Sequence, residues 1–132
     1  MAPPLVIRLS WPPRELAPNF RSTSHWPKTN AIAAYKQEAR IEALRAWIAV
    51  APAHGPGPAL CAPVIADVEF VYKVSRGRDG DNAAASLKSA WDGFVGAGLI
   101  SGDTANKLTI MPPTFVKGDK PGVVITLTEA PL

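Results

Sequence analysis

Residues 64–98, VIADVEFVYKVSRGRDGDNAAASLKSAWDGFVGAG, decide the fold. Val64, Ala66, Val68, Phe70, Tyr72 and Val74 alternate with Ile65, Asp67, Glu69, Val71 and Lys73. That period of two predicts a strand from Val64 to Val74 with one core face and one mostly polar face. SRGRDGDN follows as a loop, and a helix is expected from about Asn82 to Ala97. Gly98 suits the left-handed position just past a helix end, with Leu99 and Ile100 supplying the hydrophobic contact that accompanies such a turn.

Working outward, Leu5, Ile7 and Leu9 predict a first strand that Pro12-Pro13 stop by removing backbone donors. The stretch from Arg14 to Lys28 is polar and irregular. A long helix is expected from Asn30 to about Val50, capped by Thr29 or Asn30, with Ile41, Leu44, Trp47 and Ile48 on its apolar side. Ala53 to Pro63 is turn-rich, and further strands are expected around Lys107 to Met111 and Gly122 to Thr128. The order β-α-β-α-β-β describes an α+β domain over residues 1–132, a small mixed sheet of about four strands with two main helices.

The 132 residues carry 14 Lys+Arg against 11 Asp+Glu, a net charge of +3, with 47% hydrophobic and 19% charged residues. There is enough apolar surface to offset chain entropy, so wholesale disorder is excluded. One cysteine, Cys61, excludes a disulfide framework and any multi-cysteine zinc site. No basic n-region precedes Arg8, so no secretory signal is expected; no apolar run approaches the roughly 18 residues of a membrane span. A cytoplasmic setting is expected. The basic balance points weakly toward a partner with phosphates.

Chemistry concentrates in Arg76-Gly77-Arg78-Asp79-Gly80-Asp81-Asn82. Carboxylates two positions apart in extended chain project to one side, with Cα atoms about 6.6 Å apart, and can converge on one ion. With no histidine or thiol beside them, Mg²⁺ or Mn²⁺ is the natural occupant. Arg76 and Arg78 would rim such a site for a phosphodiester. The same residues also read as an Asp-Gly turn followed by a helix cap. An EF-hand is excluded, because its later positions fall on Ala83, Ala84 and Ala90. GFVGAG at 93–98 is not GxGxxG, so no nucleotide cofactor is expected. Lys88 lies seven residues beyond Asp81, close to two helical turns, which in one continuous helix returns it to the face Asp81 caps. It also reads as a solvated partner of Asp92 at i+4. Asp103, in Ser-Gly-Asp-Thr, is a third acid or a turn residue.

RGRDGDN, then Lys88 and Asp92 four apart, then GLISGD, resembles the core of the RusA-type Holliday-junction resolvases, many of them carried by phages and prophages. The opening is similar too: a strand ending in Trp11-Pro12-Pro13, a loop with Asn19, Arg21 and His25, then Ala34-Tyr35-Lys36 in the first helix. The resemblance runs from about Leu9 to Asp103. It implies a homodimeric, Mg²⁺-dependent endodeoxyribonuclease of a bacterial or phage-infected bacterial cell, cutting four-way junctions by paired nicks in recombination and repair, with Mn²⁺ as a substitute metal. Its metal-binding catalytic acids would fall on Asp79, Asp81 and Asp103, its catalytic lysine on Lys88 and a DNA contact on Arg78. Arg76, Asn19, Arg21, His25 and Lys107 are further candidate DNA contacts, along with Lys117 and Lys120; Asn82 is a cap or a ligand-side amide.

Two departures stand out. In the family's best-known pattern the lysine follows the second aspartate by four residues, whereas here the interval is seven. The family also commonly places two adjacent acids where this chain has Gly102-Asp103. These departures motivate a second expectation, a catalytically weak homologue that binds junctions without cutting them.

Overall fold

The computed structural model describes residues 4–17, 26–50, 59–61, 63–73 and 80–130, the side chains of 50 and 80–82 excepted. The chain order is β1 (Leu5–Leu9), a 3₁₀ turn (Arg14–Leu16), α1 (Trp26–Val50), β2 (Val64–Tyr72), α2 (Gly80–Ala85), α3 (Lys88–Gly96), β3 (Leu108–Ile110), β4 (Thr114–Lys117) and β5 (Gly122–Glu129). The architecture is mixed α+β, as expected, with five strands instead of about four. The sheet runs β1-β5-β2-β3, and β4 also pairs with β2. β5 is antiparallel to both β1 and β2, so β1 and β2 are parallel strands split by the C-terminal one.

The alternation of β2 is borne out: Val64, Ala66, Val68 and Phe70 are buried on the helix-covered face. β5 does the same with Val123, Ile125 and Leu127, and β1 with Leu5, Ile7 and Leu9. The fifth strand was not expected, because Pro112-Pro113 reads as a breaker. Between the pairs Ala66↔Ile110 and Glu69↔Thr114, two residues of β2 face three of the edge chain, Met111 to Pro113. The prolines sit in that bulge, where no ladder donor is needed. Pairing then resumes with Phe115 stacked on Phe70, ring centroids 5.2 Å apart.

α1 begins four residues before the expected Asn30. Pro27 falls in its first turn, where the missing N–H would have had no helical partner, so Thr29 and Asn30 lie inside the helix and cap nothing. The apolar side also differs from expectation. Ile41 and Ile48 are exposed, whereas Tyr35, Ala39, Ala43 and Trp47, four apart, face the core. The alanines leave room for a close neighbour. A Cβ built on Gly93 of α3 would stand 2.5 Å from the Lys36 carbonyl oxygen and 2.9 Å from the Ala39 Cβ. At this crossing α1 and α3 therefore meet backbone against side chain with no space for a methyl group.

A second tie holds α1 to the end of β1. Ser10 donates its N–H to Glu38 Oε2 at 2.6 Å and its hydroxyl to Glu38 Oε1 at 2.7 Å, and Tyr35 O–H donates to the Ser10 carbonyl at 2.8 Å. Burial, then the Glu38 charge, pushes the Tyr35 phenol far above its ordinary range. Tyr35 thus stays a donor throughout the working pH range.

The end of α3 is as expected. Gly98 has φ +77°, its N–H donates to the Val95 carbonyl, and Leu99 N–H donates to the Phe94 carbonyl, the paired bonds of a Schellman turn. Leu99 and Ile100 are then buried, and Leu60 bonds back to the Leu99 carbonyl. Among the described residues no helix is long and apolar enough to cross a membrane.

Two glycines of α3 separate packing from propensity. Gly93→Ala must push against backbone and is expected to destabilise by about 2–3 kcal/mol, as overpacked sites do. Gly96→Ala meets nothing within 4 Å and should stabilise the helix by up to about 1 kcal/mol. Urea melts at constant m-value read both; a neutral Gly93→Ala would disprove the close crossing.

Candidate active site

The expected continuous helix from Asn82 to Ala97 is broken at Ser86 and Leu87 into α2 and α3. Leu87 has φ −90° and ψ 3°, and its N–H makes a tight bond to the Ala84 carbonyl at 3.2 Å. Ser86 Oγ donates to the Ala83 carbonyl at 2.9 Å, a local bond that competes with helix continuation. Leu87 is also fully buried, and it lines up with Ala90, Trp91 and Phe94 at spacings of three, four and seven. Burying that stripe on the core sets the direction of α3 independently of α2. The two-turn argument for Lys88 therefore fails. Lys88 is the first residue of α3, and no single helix face joins it to Asp81.

Lys88 reaches its partners by another route. The Schellman turn at Gly98 reverses the chain, buried Leu99 and Ile100 pin it, and Ser101 to Asp103 run back alongside α3. Nine helical residues span about 13.5 Å, a distance five residues of extended chain cover. Lys88 Nζ donates to Asp103 Oδ2 at 2.7 Å and to Asp92 Oδ1 at 3.2 Å. Of the two readings of Lys88, the i+4 pairing with Asp92 is present, and a second carboxylate, Asp103, joins it. Hydrogen bonds to Asp103 and then Asp92 raise the Lys88 pKa above its ordinary value, and the Lys88 hydrogen bond lowers that of Asp103.

The loop after Asp103 is fixed by its own turn. Lys107 and Leu108 N–H groups both donate to the Thr104 carbonyl, at 2.8 and 2.9 Å, and Thr104 Oγ1 bonds Asn106 Oδ1 at 2.7 Å. This turn lays Lys107 over Gly102. A Cβ at Gly102 would stand 2.9 Å from Lys107 Cδ and 3.4 Å from its Nζ. Where the resembled family commonly has a second acid, this chain has a glycine with an ammonium beside it. Sequence reasoning had placed Lys107 on the arms of a DNA substrate and missed its contact with Gly102; the five-residue spacing across a turn was the available signal.

Of the four candidate catalytic residues, the structure brings Lys88 and Asp103 together. Asp79 lies outside the described residues, as do Arg76, Arg78, Asn19, Arg21 and His25. Asp81 and Asn82 fall within the first turn of α2, not before it, and their side chains are outside the description. Among the described residues no three of His, Cys, Asp and Glu gather into a metal-holding group. The donor chemistry of the expected set fits a hard divalent ion, being carboxylate oxygen throughout. Asp103, its described member, keeps a side chain 29% accessible on a turn-stiffened loop. Cys61, the one thiol, is tied through its N–H to Glu129 Oε2 at 2.6 Å.

No protein-family model matches this chain, and no curated protein matches its sequence.

The Asp103–Lys88 pair generates a pH prediction. A carboxylate held below its ordinary pKa contributes stability that is present at neutral pH and lost as pH falls through the folded-state value; here that window lies at and below the ordinary aspartate range. Both groups are partly exposed, so the stability at stake is small. Carboxyl-carbon NMR should show Asp103 titrating below ordinary aspartate and returning to it in Lys88→Met. An unchanged midpoint would exclude the pair in solution.

Proposed function

We propose that this protein is a RusA-type, structure-specific endodeoxyribonuclease that resolves four-way DNA junctions as a homodimer in DNA recombination and repair. The observation that carries the reading is the 2.7 Å meeting of Lys88 and Asp103, residues fifteen apart on which the resemblance places a catalytic lysine and a catalytic acid. It is realised despite a helix break that removes the simplest route to it.

On this reading Asp79, Asp81 and Asp103 hold Mg²⁺, with Mn²⁺ as a substitute. The bound ion supplies Lewis-acid activation of water and neutralises phosphate charge. The chain's own residues do the rest. Lys88 presents an ammonium at the acid cluster and steadies the oxyanion or leaving oxygen of the cleaved phosphodiester. Asp103 and Asp92 orient that ammonium from two sides. Lys107, with exposed Lys117 and Lys120, tracks the phosphate backbone, reading charge and shape in place of sequence. A four-way junction has approximate two-fold symmetry, and a C2 dimer offers two equivalent sites to strands of like polarity.

A second reading, binding without efficient cutting, is favoured by one observation. Lys107 lies over Gly102, so a cation sits where the resembled enzymes carry an acid.

Synthetic four-way junctions with Mg²⁺ decide between them. The nuclease reading expects paired nicks that Asp81→Asn and Asp103→Asn each reduce by roughly 100-fold or more, while junction affinity changes only a few-fold. Wild-type binding without nicks would establish the second reading, and no junction affinity at all would overturn both.

A further inference from the structure

We infer that Lys88 is the resident counter-cation of Asp103, so that a divalent ion must displace the Lys88 ammonium to bind, and that Asp92 is the positioning residue that retains the displaced ammonium beside the site. The inference rests on the metal-dependent reading above and assigns that site a built-in regulator of metal affinity.

Asp103 does not offer a free carboxylate. One of its two oxygens, Oδ2, already accepts a hydrogen bond from a full positive charge at 2.7 Å. An incoming cation meets the electrostatic repulsion of Lys88 Nζ and competes with it for that oxygen. The ammonium is not lost when displaced, because Asp92 Oδ1 holds it at 3.2 Å from within the same helix. An i,i+4 partner on α3 moves with Lys88, whereas Asp103 belongs to a separate loop. Lys88 therefore has one fixed anchor and one exchangeable one. The exchange is a change of partner for the ammonium. Displacement frees at least one ammonium N–H at the moment the ion arrives, and a phosphate oxygen is the acceptor of matching charge. Metal loading and phosphate recognition are thereby coupled through one side chain.

The affinity of exposed ion pairs sets the size of the effect. Removing the competitor should tighten metal binding by roughly three- to fivefold, the range such pairs support.

The test is a Mn²⁺ titration of the full chain without DNA, followed by water-proton relaxation, on wild type, Lys88→Met, Lys88→Arg and Asp103→Asn. Lys88→Met is expected to bind Mn²⁺ roughly three- to fivefold more tightly than wild type, with Lys88→Arg close to wild type. Asp103→Asn should weaken binding more than tenfold, because it removes a ligand. If Asp103→Asn weakens binding but Lys88→Met leaves it unchanged or weaker, the counter-cation role is wrong and the metal site stands. If Asp103→Asn has no effect, or wild type and Lys88→Met bind no Mn²⁺, the metal reading itself fails and the inference falls with it. For Asp92, phosphate-analogue binding to the Mn²⁺-loaded protein is the readout. Asp92→Asn should weaken vanadate affinity several-fold and Asp92→Glu should restore it; equal affinity in all three removes the positioning role.

Discussion

The seat of Gly93 on α1 is the contact from which the rest of the structure follows. Lys36 contributes its carbonyl oxygen and Ala39 its methyl group to a space that admits only a hydrogen on α3. Close packing at that point fixes the axis of α3 against α1, and α1 is in turn tied to β1 through Ser10, Tyr35 and Glu38. Interiors packed at this density transmit displacement instead of absorbing it. Lys88, five residues before Gly93 on the same helix, is therefore placed by a helix–helix contact and not by the loop that precedes it.

The break at Ser86-Leu87 shows why this matters for the chemistry. In one unbroken helix the lysine would ride wherever the Asp81 turn carried it. With the break, α3 answers to its own buried stripe, Leu87, Ala90, Trp91 and Phe94, while among the described side chains of α2 Ala83 alone packs against the core. The seven-residue interval between Asp81 and Lys88 becomes intelligible on that basis. The interval spans the break, and Lys88 meets Asp92 and Asp103 through α3 itself and the Gly98 reversal.

Much of this was legible in the residues. The alternation in β2 and β5 and the glycine reversal after α3 are local rules that tertiary contacts reinforce, and each is found as read. What escaped depends on partners distant in sequence. The buried side of α1 was sought by spacing among Ile41, Leu44, Trp47 and Ile48; Trp47 is buried as read, but Ala39 and Ala43 are buried too, and the smallness of Ala39 has meaning only beside Gly93. β4 escaped because Pro112-Pro113 marks a break in any isolated strand; only the two-against-three pairing with β2 turns it into a bulge. In the candidate site, helical periodicity tied Lys88 to Asp81, whereas its meeting with Asp103 came from a chain reversal that no local period announces. Lys107 over Gly102 required both a turn and a missing Cβ.

The charges at this end of the molecule lead to a last step. Among the described residues two carboxylates, Asp92 and Asp103, are matched by two cations, Lys88 and Lys107. Such a site has formal charge near zero before any metal binds, so it neither attracts a divalent ion strongly nor repels a phosphate. On the proposed reading one Mg²⁺ would make it positive by two, which favours a phosphodiester, and the single negative charge of a bound phosphodiester would in turn favour the ion. By linkage each ligand must strengthen the other equally. On the proposed reading a nuclease so arranged would bind metal measurably by itself and more tightly on its substrate. Gly102, which from sequence alone looked like a lost ligand, is overlaid by Lys107, and on the proposed reading that ammonium would lower the standing affinity for metal and raise the share of it that the DNA supplies.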